Sequence, residues 1–92
     1  GKTVYMDSEK SQKKKDKENH VYYKVQIMSS ASQIPLDDTV FKGHRKIEEI
    51  YFNGKYKYTI GETQNYKDII RQLKKIRDDF PDAFVIKISP EN

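Results

Sequence analysis

The sequence predicts an α+β domain in which helices cover one face of a four-stranded antiparallel sheet. Three observations lead to this fold class. The run 55–60 alternates polar with aromatic or aliphatic residues, which is the pattern of a half-buried strand. Asn53-Gly54, just before it, is the strongest short signal for a tight hairpin. Apolar residues then recur at steps of three and four from Tyr66 to Phe80, which indicates an amphipathic helix.

Residues 1–19 are predicted to be a disordered, charged linker, and residues 20–90 the folded domain. The stretch from Ser8 to Asn19 contains no apolar residue, so it cannot bury enough surface to offset the entropy of ordering it. An alternative is that the lysines from Lys13 to Lys17 bind an anionic surface. A linker also implies another domain, catalytic or anchoring, upstream in a longer parent protein.

Charge and composition narrow the classes of function. The chain of 92 residues has a net charge of +4, and residues 2–18 carry half of that surplus with six lysines against four acidic residues. The folded part is thus only mildly basic, whereas nucleic-acid binders usually concentrate positive charge on one face. No cysteine is present, which excludes disulfides and thiolate chemistry. No apolar run approaches the ~20 residues that span a bilayer.

Four strands and their faces follow from alternation along the chain. The first strand covers 20–29, the second 46–52, the third 55–60 and the last 82–88. Tyr56, Tyr58 and Ile60 of the third strand should point into the core, and Phe84, Ile86 and Ile88 of the last strand should face the helix. The residues predicted to face away from the core are Tyr22, Lys24, Gln26 and Met28; Lys55, Lys57 and Thr59; Ala83, Val85 and Lys87; and, with less regular alternation, Glu49 and Tyr51.

The helices are predicted to cover one face of the sheet only. Thr63 or Asn65 can cap the long helix, and Pro81 ends it. The segment 34–41 is long enough only for a loop or one to two helical turns. Strand, short helix, hairpin, long helix and strand in this order fit the ferredoxin-like βαββαβ arrangement, with the first helix short or degenerate. The second face of the sheet is then a candidate binding platform, the alternative being a plain solvated surface.

The sequence offers little for catalysis. The two histidines, His20 and His44, lie in no metal-ligand spacing. The glycines are isolated, so no phosphate-binding loop is present. We therefore predict no catalytic residue, no metal and no cofactor, and interpret the domain as a non-enzymatic binding module.

Two ligand classes suit an open sheet of this composition. Single-stranded RNA is bound by aromatic residues on central strands, but Tyr56 and Tyr58 fall on the core side. A carbohydrate polymer needs amide and hydroxyl groups for its hydroxyls, and small apolar surfaces for its rings. Gln26, Ser29, Lys57, Thr59 and Val85 would supply that set.

Several motifs resemble those of a known family. Tyr22-Tyr23-Lys24-Val25-Gln26-Ile27 resembles the aromatic-x-Val-Gln-apolar opening of SPOR (sporulation-related repeat) domains. Tyr56-Lys57-Tyr58-Thr59-Ile60-Gly61 resembles their second signature, an aromatic-basic-apolar-x-apolar-Gly strand. Together with Ile34-Pro35-Leu36, Phe41-Lys42-Gly43 and Phe80-Pro81-Asp82-Ala83-Phe84, they are similar to the C-terminal SPOR-like domain of some bacterial N-acetylmuramoyl-L-alanine amidases.

The resemblance implies a βαββαβ domain of the periplasm or cell envelope that binds the glycan strands of septal peptidoglycan, with a preference for strands without stem peptides. Its groove would lie on the open sheet face, and it would target a cell-wall amidase or a division protein to the wall. Gln26 and Ser29 match the first-strand positions, Lys57 the basic third-strand position and Val85 the last strand. The full set of predicted ligand-binding residues is Gln26, Ser29, Lys57, Thr59, Val85, Lys24 and Tyr22.

The chain departs from the family pattern in two places. The region before His44 is too short for the usual first helix, and Met28 and Ser30 replace the Gly and aromatic residue that often follow the Gln. The family pattern therefore does not determine the shape of the groove's edge or the glycan preference of this chain. The alternative function is a protein- or RNA-interaction module on the same open face. For the glycan-binding function we expect no nucleic-acid partner, and we expect no membrane span in this chain.

Overall fold

The computed structural model describes residues 3–5 and 21–90 of the chain. These residues form five strands, one α-helix and one short 3₁₀ helix. The elements are β1 (Thr3–Tyr5), β2 (Tyr22–Ser30), the 3₁₀ helix η1 (Thr39–Phe41), β3 (Ile47–Phe52), β4 (Lys55–Thr63), α1 (Tyr66–Ile76) and β5 (Phe84–Pro90).

The strands form one antiparallel sheet in the order β1-β5-β2-β4-β3. Without β1, the remaining four strands, β5-β2-β4-β3, follow the order of a ferredoxin-like βαββαβ unit, and α1 packs against β2, β4 and β5. The predicted α+β, ferredoxin-like fold is therefore confirmed. The first helix is degenerate, as the short segment before Gly43 predicted, because only η1 forms between β2 and β3.

The fifth strand, β1, lies within the segment predicted to be a linker. It pairs with β5 at one edge of the sheet, with Thr3 opposite Pro90 and Tyr5 opposite Ile88. Three residues of the predicted linker 1–19 are thus part of the sheet. The remainder of that segment lies outside the described residues.

The β3–β4 hairpin forms at Asn53-Gly54, as predicted. Both residues have positive φ, 59° and 81°, which is the backbone of the two-residue turns that match strand twist. The pairing that follows places Tyr51 opposite Tyr56, and the two ring centroids lie 4.8 Å apart.

The core lies between the sheet and α1. Tyr58 is fully buried, and Tyr56 and Ile60 pack against the core cluster, so the predicted inward face of this strand is confirmed. Phe41 of η1 is also buried, and its ring centroid lies 5.1 Å from that of Tyr58. The buried cluster consists of Val25, Ile27, Phe41, Ile47, Tyr58, Ile69, Leu73, Ile76, Phe80 and Ala83.

Helix α1 begins where the sequence predicted and ends earlier. The Asn65 side chain accepts hydrogen bonds from the backbone N–H groups of Lys67 (2.9 Å) and Asp68 (3.2 Å), which satisfies donors that the helix itself leaves free. The helix stops at Ile76 rather than running to Phe80. Phe80 is nevertheless buried, because a turn carries it back to the core with its N–H bonded to the Ile76 carbonyl.

Strand β4 continues beyond Gly61, which the sequence had suggested as its end. Between the pairs Val25–Ile60 and Tyr23–Thr63, β4 contains one residue more than β2, so a β-bulge forms at Gly61-Glu62. Gly61 has a φ of +84°, a conformation that other residues rarely adopt. A Cβ atom there would also overlap the side-chain amide of Gln72 on α1.

The predicted faces of β5 are wrong along the whole strand. Ile86 pairs with Lys24 and Ile88 with Tyr22, so both lie on the side opposite α1, whereas Lys87 pairs with the core-packed Tyr23 and lies on the side of α1. Val85 pairs with Val25 and packs on the core. Ala83, just before the strand, is also buried in the core cluster. Both residues were expected to face away from α1.

Two predictions about the faces of β2 and β3 are also wrong. Met28 packs on the core, because a second bulge at Ile27 shifts the alternation of β2. Glu49 and Tyr51 pair with core-facing residues of β4, and so lie on the side of the sheet that α1 covers.

Candidate functional site

We call the side of the sheet opposite α1 the open face. Its centre is a row of four side chains that crosses β5, β2, β4 and β3. The pairings Phe84–Gln26, Gln26–Thr59 and Thr59–Glu48 place them side by side on β5, β2, β4 and β3. Directly paired residues project from the same side of an antiparallel sheet, so the row joins an aromatic ring, an amide, a hydroxyl and a carboxylate.

A second row lies beside the first, towards the hairpin. Ser29 pairs with Lys57, and Lys57 pairs with Ile50. Ser29 reaches this face because the bulge at Ile27 reverses the alternation of β2 after Gln26. Gln26 and Lys57 therefore share one face on adjacent strands, as the sequence predicted.

The open face is less accessible than predicted. Lys24, Gln26 and Thr59 retain only 3%, 7% and 0% of their accessible surface. Ser29 is exposed, whereas Tyr22 and Lys57 are half-buried. A ligand on this face would thus meet Ser29 and parts of Tyr22 and Lys57 first, while Gln26 and Thr59 form the base beneath them.

Val85 is not part of the open face, so the prediction that placed it beside Gln26 and Lys57 is wrong. The last strand has apolar residues on both sides, and alternation alone does not say which set faces the helix. The structure turns the smaller residues inward: Ala83 is buried, and the Arg77 side chain donates a hydrogen bond of 2.9 Å to the Ala83 carbonyl. Val85 follows Ala83 inward, and Phe84 turns outward.

Phe84 is the residue of this face that the sequence analysis missed. It was expected to face the helix, but 47% of its surface is exposed and it pairs with Gln26. The signal that could have found it is the small size of Ala83, since a strand that packs closely under a helix favours small side chains.

Lys24 lies on the open face with its charge compensated. Its ammonium nitrogen lies 2.5 Å from Glu48 Oε1 and 3.4 Å from Glu62 Oε1. Because Lys24 is almost fully buried, these carboxylates stabilise a charge that would otherwise be costly to remove from water. This lysine therefore holds β2, β3 and β4 together, which makes it a poor direct ligand contact.

Thr59 contributes an unusual polar atom to the centre of the row. Its Oγ1 is buried and has no hydrogen-bond partner in the structure. Most buried hydroxyls in folded proteins are paired, because an unpaired one loses its bonds to water without replacement. Because Thr59 has no accessible surface, a ligand on the open face would reach this hydroxyl only if the side chains around it moved.

The other side of the sheet carries a hydrogen-bonded network that fixes the loop after β2. The Tyr58 hydroxyl accepts a hydrogen bond from the Ile34 backbone N–H (2.7 Å) and donates one to Glu49 (3.0 Å). Glu49 also accepts a bond from Gln33. Burial raises the pKa of Tyr58 above its ordinary value, and the hydrogen bond to Glu49 and its negative charge raise it further.

The described residues contain no group of three or more histidine, cysteine, aspartate or glutamate side chains that could hold a metal ion. His44 Nε2 lies 2.9 Å from Asp79 Oδ2, and the His44 ring centroid lies 5.4 Å from that of Phe80. These contacts join the loop after η1 to the turn after α1. They serve the packing of that end of the domain, away from the open face.

Comparisons with protein-family models, with curated proteins and with solved structures found no match. Within the described part of the chain, no helix combines the length and the apolar character needed to cross a lipid bilayer.

Proposed function

We propose that this domain is a non-catalytic module that binds the glycan strands of peptidoglycan and holds a cell-wall amidase or division protein at the wall. Its place of action would be the periplasm or cell envelope. The proposal implies a partner domain in a longer parent protein, catalytic or anchoring, to which the module lends affinity for the wall.

The observation that carries the proposal is the row Phe84–Gln26–Thr59–Glu48 on the open face. A sugar presents hydroxyl and acetamido groups at its rim and a flatter, less polar ring face. The exposed ring of Phe84 can pack on that ring face, while the exposed Glu48 carboxylate and the exposed Ser29 hydroxyl of the neighbouring row offer acceptors and a donor to the rim. A second polar row, beginning with the paired Ser29 and Lys57, gives a polymer a surface along which to continue.

The resemblance to SPOR domains also supports the proposal, now with a changed set of residues. Gln26, Ser29 and Lys57 lie on one face, as the motif positions require. Val85 does not, and Phe84 occupies the outward position beside Gln26 instead. Phe84 therefore replaces Val85 as the contact that we expect from the last strand.

Sedimentation with isolated sacculi tests the proposal. The domain should pellet with intact sacculi or with sacculi whose stem peptides an amidase has removed, and comparison of the two gives the glycan preference. Phe84→Ala should lower the affinity about two- to tenfold, the range expected for one aromatic packing contact. The domain remaining in the supernatant with both preparations would refute the proposal.

Tyr66→Ala is the matched control for Phe84→Ala. Tyr66 is an aromatic residue of similar exposure, 53% against 47%, but it lies on α1 and packs against Tyr23 on the opposite side of the sheet. Its removal should leave the bound fraction unchanged. Equal losses for the two variants would mean that the open face is not where sacculi bind.

A protein-interaction module is the second candidate function, and Phe84 favours it also. Its exposed ring, with the half-buried Tyr22 and Ile86, gives the open face an apolar part, and such patches often mark protein contacts. RNA binding on this face is less well supported, because Tyr56 and Tyr58 point into the core. A salt titration separates it, since RNA affinity falls steeply with salt through counterion release and glycan affinity does not.

A further inference from the structure

A half-open cavity of about 450 Å³ lies where β2, β3 and β4 meet at the bulge. Pockets for small ligands range from about 300 to 1,000 Å³, so this volume is sufficient for a small molecule. The wall combines two cationic and two anionic side chains with a buried isoleucine and a glycine. The lining residues are Lys24, Lys46, Ile47, Glu48, Gly61 and Glu62.

The bulge in β4 gives the cavity its shape. The extra residue at Gly61-Glu62 turns the Glu62 carboxylate towards Lys24, at 3.4 Å, instead of letting the strand alternate regularly. Bulges commonly redirect a side chain in this manner near functional sites. Gly61 lines the cavity, and the direction that a Cβ atom would take there is already occupied by Gln72 of α1.

The charged side chains that line the cavity are only partly compensated. The Lys24 ammonium is shared by two carboxylates, Glu48 at 2.5 Å and Glu62 at 3.4 Å, so these three groups together carry one net negative charge and Glu62 is the more weakly paired carboxylate. Lys46 forms no ion pair within 4.0 Å with the residues that the structure describes. The cavity therefore presents one surplus negative group and one surplus positive group that do not neutralise each other.

We propose that this cavity binds the zwitterionic head group of a free amino acid. Its ammonium would lie at Glu62 and its carboxylate at Lys46. A simple anion would be attracted to the surplus positive group and repelled by the surplus negative group, and a simple cation would experience the reverse. Only a ligand that carries both charges matches both surplus groups.

The proposal does not depend on glycan binding, and a small-molecule titration tests it. The probes are D-alanine, which carries both charges, N-acetyl-D-alanine, which carries only the carboxylate, and D-alaninamide, which carries only the ammonium. Each is added to the ¹⁵N-labelled 92-residue chain while amide chemical shifts are recorded. D-Alanine should shift the amides of Gly61 and Glu62 and bind about two- to fivefold more tightly than either analogue, the range for one half-exposed ion pair.

Two variants separate the two charges. In Lys46→Gln the preference for D-alanine over D-alaninamide should disappear, because the carboxylate has lost its partner. In Glu62→Gln the preference for D-alanine over N-acetyl-D-alanine should disappear, because the ammonium has lost its partner. Lys46 is exposed and in no ion pair with the described residues, so Lys46→Gln should keep the melting temperature of the wild type. Glu62→Gln removes the longer of the two ion pairs of Lys24 and should lower the melting temperature, so its binding is measured well below the melting transition. Lys67→Gln on α1 is the control for loss of one surface charge. An equal response to the three compounds, or none around Gly61, overturns the proposal.

Discussion

Removal of the Tyr58 hydroxyl is the most informative test of how the sheet supports the loop that precedes η1. In Tyr58→Phe the ring still fills the core beside Phe41, but both hydrogen bonds of the hydroxyl are lost. A bond to a charged group contributes about 1.5–3 kcal/mol, and an orphaned buried N–H costs about 1–3 kcal/mol. Because Glu49 and Ile34 are only half-buried and water can partly replace the hydroxyl, we expect a net loss of about 2 kcal/mol.

The measurement is urea and thermal unfolding of the wild type and Tyr58→Phe. For a domain of this size a loss of about 2 kcal/mol corresponds to a fall of about 10 °C in melting temperature. Tyr66→Phe is the control, because Tyr66 is half-exposed on α1 and its hydroxyl should contribute less than about 0.5 kcal/mol. Equal stability of wild type and Tyr58→Phe would refute the network as a source of stability.

The raised pKa of Tyr58 makes the stability of the domain depend on pH, and the direction of the pKa shift determines the sign of that dependence. Folding raises this pKa above the ordinary value of 10.0, so the folded state keeps the proton that the unfolded state loses. The contribution is fully present below pH 10.0 and is lost as the pH rises through the folded pKa. The stability difference between wild type and Tyr58→Phe should therefore be constant up to about pH 9 and shrink at about pH 11. All other ionisable groups are the same in the two proteins, so their contributions cancel in the difference. A stability difference that stays constant at high pH would contradict the assignment.

Two further substitutions test the bulge of β4 and the start of α1. Gly61→Ala should destabilise the domain by about 2 kcal/mol, because alanine is strained at positive φ and its Cβ overlaps the Gln72 amide. Urea unfolding of Gly61→Ala with and without Gln72→Ala separates the cost of backbone strain from the cost of the overlap with Gln72. A Gly61→Ala protein as stable as wild type would contradict the reasoning. Asn65→Ala should cost about 1 kcal/mol through loss of the helix cap. Its control is the exposed neighbour in Gln64→Ala, and equal losses in the two variants would rule out the cap as the cause.

The sequence predicted the parts of the fold that local chemistry determines. Asn53-Gly54 specified the hairpin, since few other residues accept its positive φ values. The alternation of residues 56–60 specified the core face of β4, and Asn65 specified the start of α1. Gln26 and Lys57 were placed on one face correctly because each lies in a strand whose alternation is regular up to that residue.

The errors lie where tertiary packing decides between two local possibilities. Both sides of β5 are apolar, so only the space beneath α1 could place Ala83 and Val85 inward and Phe84 outward. Alternation likewise could not reveal the bulges, which depend on how many residues each neighbouring strand contributes between two pairs. The burial of Lys24 was not predictable either, because its partner Glu62 is positioned by one of those bulges.

The extra residue at Ile27 decides which residue of β2 lies opposite Lys57, because it shifts the register between β2 and β4. Were β2 to run as an uninterrupted zigzag, Met28 would stand opposite Lys57 and Ser29 would turn towards α1. A thioether would then replace a hydroxyl beside the ammonium, although not one amino acid had been exchanged. One β-bulge thus changes the chemical groups on this surface as much as a point mutation would.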